Sequence, residues 1–202
     1  MLNRFRDFWT KVFSPLARLL LRLGVSPDAV TVVGTLGVAA GALWFFPRGQ
    51  LLGGVLFITV FVFSDLLDGH MARLSGTSSK WGAFLDSTLD RLGDAAIFAG
   101  LVLYYMGPGE SDTFAVLALY CLVMGSVTSY ARARAESLGM QAKGGIAERA
   151  DRLVAILAMT GLSDIFDLPV LIPITLWLLA AASTVTVVQR ILLVRRQATA
   201  AL

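Results

Sequence analysis

The chain has 202 residues, 56% of them hydrophobic and only 15% charged, with a mean hydropathy of +0.74. An ordinary soluble domain is roughly 45–50% apolar, so the composition excludes a water-soluble core and points to one integral membrane domain spanning 1–202. Basic residues number 17 against 14 acidic, a net charge of +3, and no nucleic-acid partner is expected. Residues 3–23 place Phe5, Phe8, Trp9, Val12, Phe13, Leu16, Leu19, Leu20 and Leu23 at a helical period, with Arg4, Arg6, Lys11, Arg18 and Arg22 between them. This predicts an amphipathic surface helix over 1–24, lying on an anionic bilayer rather than being cleaved as a signal peptide. Gly24 ends it, and Ser26-Pro27 supplies an N-cap and a first-turn proline for the next helix.

Six apolar stretches follow, at roughly 28–46, 51–74, 81–106, 112–135, 151–167 and 170–193, each near the ~20 residues that span a bilayer. The expected fold is therefore all-α: an interfacial helix, then a six-helix transmembrane core over 28–193. The fifth stretch is short, and Asp164 and Asp167 blur its end. Gly34, Gly37 and Gly41 offer a small-residue face for helix contacts. Cys121, the single cysteine, sits in an apolar run and reads as a packing residue. With both termini on one side, every basic residue except Arg48 falls on that side, which is expected to be cytoplasmic. The expected location is the plasma membrane, multi-pass, with termini and active site facing the cytosol.

Within this apolar chain, residues 65–90 concentrate charge. Asp65 and Asp68 stand three apart, Asp86 and Asp90 four apart, so each pair shares one face of its helix. Asp65 is about ten residues from the end of its span, hence ~15 Å deep. Carboxylates at such depth are costly and are kept where they act on something. Four hard oxygen donors facing one spot suit Mg²⁺, Mn²⁺ or Ca²⁺ rather than zinc, and two divalent ions ~3.5–4 Å apart can clamp a phosphate for in-line displacement. Gly69 and Ala72 leave room beside Asp68 for a flat ligand, while Gly82 serves either a ligand or helix packing. The residues Asp28, Ala29, Val30 and Thr31 open a helix whose free N–H groups suit a diphosphate, though an ordinary capped start fits equally well. Of the hydroxyls at 75–79, Ser79 is the best placed. His70, the only histidine, points off the carboxylate face and reads as a bystander.

The pattern D-x-x-D-G-x-x-A-R-x8-G-x-x-x-D-x-x-x-D, from Asp65 to Asp90, is similar to the signature of the CDP-alcohol phosphotransferases, membrane enzymes of phospholipid synthesis. The resemblance implies that the cytidine of a CDP-linked lipid lies near Gly69, Ala72 and Arg73, with its diphosphate on two Mg²⁺ ions. It also implies Asp65, Asp68 and Asp86 as metal ligands. Asp90 would be the catalytic base toward the acceptor hydroxyl and touch the second metal. Family members carry a similar stretch at 27–31, with Asp28 in place of the usual Asn. A homodimer is implied as well.

A second basic group, Arg132, Arg149, Arg152 and Arg190, recurs near helix ends on the cytoplasmic side. Guanidinium forks suit a phosphate dianion, so an acceptor that already carries phosphate is expected; positive-inside topology accounts for part of the same pattern. The stretches 129–136 and 143–152 look like those of actinobacterial phosphatidylinositol phosphate synthases, which implies CDP-diacylglycerol as donor and inositol 1-phosphate as acceptor. The alternative within the family is glycerol 3-phosphate, giving phosphatidylglycerophosphate. A metal-ion or proton-coupled transporter is a third reading, although the chain lacks the repeated halves usual there.

Overall fold

The computed structural model describes residues 14–77 and 79–200, without the side chains of Asp65 and Leu66. Residues 1–13 of the expected surface helix therefore lie outside the described residues. Helix α1 covers 14–22, and α2 covers Pro27–Phe45, ending in a short 3₁₀ turn at Phe46–Arg48. There follow α3 (Leu51–Val62), α4 (Ser64–Ser75), α5 (Lys80–Met106), α6 (Asp112–Ser137), α7 (Arg149–Ile165) and α8 (Leu171–Ala200), with no strand among the described residues.

Four stretches are long and apolar enough to cross a membrane: Pro27–Arg48, Leu51–Ser75, Asp112–Ser137 and Leu171–Ala200. The two other expected spans are helical but differ in kind. Helix α5 has 27 residues, and Asp86, Asp90, Arg91 and Asp94 interrupt its apolar sequence. Helix α7 has 17 residues, about 26 Å of rise against a hydrocarbon core of about 30 Å. The protein is thus an all-helical membrane protein.

The stretch expected as one helix at 51–74 is two, parted at Phe63. The Ser64 hydroxyl donates to the Phe61 carbonyl at 2.6 Å, and the ladder bonds around it are long, 3.4 Å for Phe63 N to Thr59 O and 3.3 Å for Leu67 N to Phe63 O. A serine back-bond of this kind loosens and bends a helix. The break falls directly before Asp65, so the motif starts a helix of its own. Helix α4 ends at Gly76, whose φ of +66° is the left-handed cap that glycine adopts without strain.

Contacts divide the described residues into two compact units, one made of those up to 41 and within 56–96, the other of 42–55 and those from 97 onward. In the first, Ala17 of α1, Val30 of α2, and Leu67 and Met71 of α4 form a buried cluster flanked by Leu20, Leu21 and Val25. Ser14 Oγ and His70 Nε2 are 2.9 Å apart, so the buried His70 faces α1, as its position off the carboxylate face required. The small-residue face of α2 is occupied within the chain. A Cβ on Gly34 would run into the Ser64 side chain, on Gly37 into the Phe61 ring, and on Gly41 into Phe57 and Ile58.

In the second unit, α6, α7 and α8 bury Ala118, Ile156, Ile172 and Leu176, and the Cys121 thiol donates to the Leu176 carbonyl. The Asp164 carboxylate near the end of α7 accepts the Leu52 N–H, a free donor at the start of α3. Helix α7 opens with a capping box between Glu148 and Asp151. The loop before it is held on α8. Ala147 N–H donates to Thr186 Oγ1, Gln141 N–H donates to Gln197 Oε1 at 2.9 Å, and Gln197 Nε2 donates to the Gln141 carbonyl at 2.6 Å.

Replacing Gly37 by Val should lower stability by about 1–3 kcal/mol through overpacking against Phe61. Thermal unfolding in detergent should show a reduced Tm that Phe61→Ala, added to Gly37→Val, partly restores. An unchanged Tm in the single variant would mean that α2 does not need this close approach.

Candidate active site

A cavity of about 250 Å³ lies in the first unit, where the start of α2, helix α4 and the start of α5 meet. Pro27, Asp28 and Thr31 come from α2; Asp68, Gly69, Ala72 and Arg73 from α4; Thr77 and Ser79 from the connecting turn; and Gly82, Ala83 and Asp86 from α5. The helical spacing explains the α4 wall. Residues 65, 68, 69, 72 and 73 fall on one face, and the small Gly69 and Ala72 leave the space that Asp68 and Arg73 border. On α5, Gly82 and Asp86 stand one turn apart and repeat the arrangement.

Hydrogen bonds fix Asp68. Its Oδ2 is 2.5 Å from the Thr31 hydroxyl, which also lies 3.1 Å from the Pro27 carbonyl. With one proton to give, Thr31 donates to the closer, charged acceptor. Asp68 Oδ1 accepts the Gly69 N–H at 2.5 Å. Asp86 lines the cavity, whereas Asp90, a turn further along α5, does not. The Asp90 carboxylate lies 3.6 Å from Arg91 Nη2.

Of the residues expected to hold the nucleotide, Asp28, Thr31, Gly69, Ala72, Arg73, Ser79 and Gly82 come together around the cavity. Ala29 and Val30 do not. The Ala29 N–H bonds the Ser26 hydroxyl at 3.2 Å, and the Val30 N–H bonds the Ser26 carbonyl at 3.3 Å. Val30 is instead part of the buried cluster. The structure adds Pro27, Thr77 and Ala83 to the lining. It also places Trp81 behind Asp28, its indole N–H donating to Asp28 Oδ2 at 3.0 Å. Thr77 belongs to a hydroxyl-rich loop and was within reach of sequence reasoning; a tryptophan at a helix start reads only as an interface anchor.

The donor set at this cavity is oxygen alone, which fits a hard divalent cation rather than zinc. Among the described residues no three His, Cys, Asp or Glu side chains converge on one point; the Asp65 side chain is outside that description. A larger groove of about 860 Å³, between α6 and α8 in the second unit, includes Val116, Leu117, Trp177 and Val185 and is mostly apolar. It lacks the grouped carboxylates and arginine that phosphate chemistry requires.

All four arginines expected to meet an acceptor phosphate belong to the second unit. Arg132 is exposed and pairs with Glu136 at 3.0 Å. Arg149 opens α7 and is half-buried. Arg152 is buried, its guanidinium beside Gly125 and its Nη1 donating to the Ala147 carbonyl at 3.2 Å. Arg190 is also buried, donating from Nη1 to the Thr128 carbonyl at 2.6 Å and from Nε to the Gly144 carbonyl at 3.2 Å. Two of the four therefore brace the 138–148 loop and its supporting helices.

The model of the CDP-alcohol phosphatidyltransferase family matches residues 24–188, and the chain belongs to that family of enzymes. Among its relatives, the phosphatidylinositol phosphate synthase of Streptomyces avermitilis is 51% identical, over 98% of this chain and 84% of that protein. The enzyme of the same name from Cutibacterium acnes is 52% identical, over 97% of this chain and 98% of its own. The crystal structure of Mycobacterium tuberculosis phosphatidylinositol phosphate synthase with CDP-diacylglycerol bound matches with a TM-score of 0.87 at 42% identity, covering 91% of this chain and 94% of that one. The same enzyme in complex with manganese and citrate gives 0.86 at 43% identity, covering 90% and 88%.

Asp86→Asn and Thr31→Val should both weaken Mn²⁺ binding measured by calorimetry on purified protein. The loss of Thr31, a partner of Asp68 rather than a direct ligand, is expected to cost about 10- to 100-fold, and Asp86→Asn at least as much. Wild-type affinity in both variants would remove the metal from this cavity.

Proposed function

We infer that the chain transfers the phosphatidyl group of CDP-diacylglycerol to inositol 1-phosphate, forming phosphatidylinositol phosphate and releasing CMP. The observation that carries this reading is the cavity that gathers Asp68, Gly69, Ala72, Arg73, Gly82 and Asp86, six of the eight signature residues, in a chain whose relatives bear that enzyme's name. Glycerol 3-phosphate is the second acceptor considered, because it too carries a phosphate for the arginines to hold.

In this reading Asp65, Asp68, Asp86 and Asp90 hold two Mg²⁺ ions, which Mn²⁺ can replace. Bound there, the ions neutralise charge on the diphosphate as the phosphorus is attacked. Gly69, Ala72 and Gly82 admit the cytidine, while Arg73, Thr31 and Ser79 border its phosphates. Asp28, at the α2 start, lies beside Gly82 on the cytidine's side, and the N–H groups of Ala29 and Val30 are already used. Asp90 takes the proton from the acceptor hydroxyl. The hydroxyl oxygen bonds to the lipid-side phosphorus, and the bond from that phosphorus to the CMP oxygen breaks. Arg132, Arg149, Arg152 and Arg190 grip the acceptor's own phosphate. The enzyme works as a multi-pass homodimer in the plasma membrane, with termini and site on the cytoplasmic side; the concentration of basic residues there supports that orientation.

An acceptor panel tests the assignment. CMP release from CDP-diacylglycerol with Mg²⁺ should be fastest with inositol 1-phosphate and slow with free inositol, glycerol 3-phosphate or serine. Preference for free inositol would overturn the phosphate pocket, and preference for glycerol 3-phosphate would move the assignment to the second acceptor. Arg132→Ala, at an exposed position whose ion pair contributes about 0.5 kcal/mol, should raise KM for inositol 1-phosphate roughly tenfold with Tm unchanged. Arg152→Ala should lower Tm as well, because it leaves the Ala147 carbonyl without its donor.

Asp90→Asn should still bind CDP-diacylglycerol while turnover falls by about 10²–10⁴, the contribution of a positioned base. Retained turnover with an unaltered pH profile would assign the proton to another group.

A further inference from the structure

Asp28 is the one cavity carboxylate that the metal chemistry does not use. An acidic side chain beside an anionic nucleotide is unfavourable unless it faces a donor. First-turn placement on α2 accounts for a negative charge there, but not for where the side chain is held. The Trp81 indole N–H fixes Oδ2 at 3.0 Å, and Oδ1 then looks toward Gly82, 3.7 Å from where a Cβ would stand. Among the described residues no hydrogen-bond donor or cation meets Oδ1. Gly82, without a side chain, leaves that direction open. Ser79 Oγ accepts the Gly82 N–H at 3.0 Å and gives no hydrogen bond to Asp28. Trp81 itself is 60% exposed and paired with Phe84 at 6.0 Å, so its body is not needed for burial.

We propose that Trp81 is a positioning residue for nucleotide choice: it holds the Asp28 carboxylate so that Oδ1 accepts a hydrogen bond from the amino group of cytosine. This rests on reading the cavity as the CDP subsite. The chemistry discriminates between pyrimidines. Cytosine presents an amino donor at the position where uracil presents a carbonyl acceptor, and a fixed carboxylate attracts the first and repels the second. Trp81 supplies the fixing, since a carboxylate free to rotate pays an ordering penalty on binding and avoids uracil by turning away.

The test uses purified full-length protein with Mg²⁺ and measures inhibition of CMP release from CDP-diacylglycerol by added CMP, UMP and dCMP. Wild type should favour CMP over UMP by about tenfold or more, the scale of one charged hydrogen bond, and should bind dCMP as well as CMP. Trp81→Phe, which keeps an aromatic ring but loses the N–H, should narrow the CMP-to-UMP ratio several-fold. Its KM for CDP-diacylglycerol should rise more than its kcat falls. Asp28→Asn offers one acceptor oxygen, which Trp81 takes, turning the amide NH₂ toward the base; the ratio should fall below one. Adding Trp81→Phe to Asp28→Asn frees that amide to turn either its oxygen or its NH₂ toward the base, and the ratio should rise back to about one. The same substitution is thus harmful in one background and restorative in the other, which a purely structural tryptophan does not produce. An unchanged ratio in Trp81→Phe, or no restoration in the double variant, would overturn the proposal. So would discrimination against dCMP as strong as that against UMP, which would place Asp28 on the ribose. Failure of CMP to inhibit wild type would instead remove the nucleotide from this cavity altogether.

Discussion

A carboxylate carried on a membrane-embedded helix is unfavourable until donors or cations surround it, and Asp68 meets that condition through the Thr31 hydroxyl and the Gly69 N–H. The first of these bonds joins α2 to α4 and so determines where the two walls of the cavity stand. Much of the surrounding packing serves that approach. Glycines at 34, 37 and 41 let Phe57, Phe61 and Ser64 close onto α2, and Ser64 in turn breaks the helix just before the acidic motif begins. Aliphatic packing from Ala17, Val30, Leu67 and Met71 holds the far side.

If the basic residues of the second unit grip the acceptor as proposed, one side chain serves fold and chemistry together. An arginine has five donors in a rigid fork, so Arg190 can brace the Thr128 and Gly144 carbonyls through Nη1 and Nε without engaging Nη2 in those bonds. Arg152 braces Ala147 in the same way. Burial of such a group restrains its rotamers before a ligand arrives, which lowers the ordering penalty of binding. Arg132, exposed beside Glu136, carries no comparable structural duty.

Periodicity and spacing made the helices legible, and the acidic motif made the cavity legible, because both depend on short-range geometry that a sequence displays directly. What escaped was set by side-chain competition. Nothing in the apolar run 51–74 announces that Ser64 will take the Phe61 carbonyl, and the glycine face of α2 reads equally as an interface between chains or within one. Asp164 and Asp167 looked like a blurred end of a span; Asp164 caps Leu52 from more than a hundred residues away, a partnership with no local signature. At the start of α2, free N–H groups were expected at Ala29 and Val30, but Ser26 satisfies both through its hydroxyl and its carbonyl. Trp81 gave no sign of its contact with Asp28, since an aromatic at a helix start is ordinary near a membrane surface.

The paired amides of Gln141 and Gln197 make the last turns of α8 a clasp rather than a tail. Two backbone groups of the loop, the N–H and the carbonyl of Gln141, depend on the one side chain of Gln197. Severing α8 before Gln197 would unfasten a loop whose later residues Gly144 and Ala147 contact Arg190 and Arg152. Proteolysis within these turns of α8 is therefore a defect in the basic unit rather than harmless trimming.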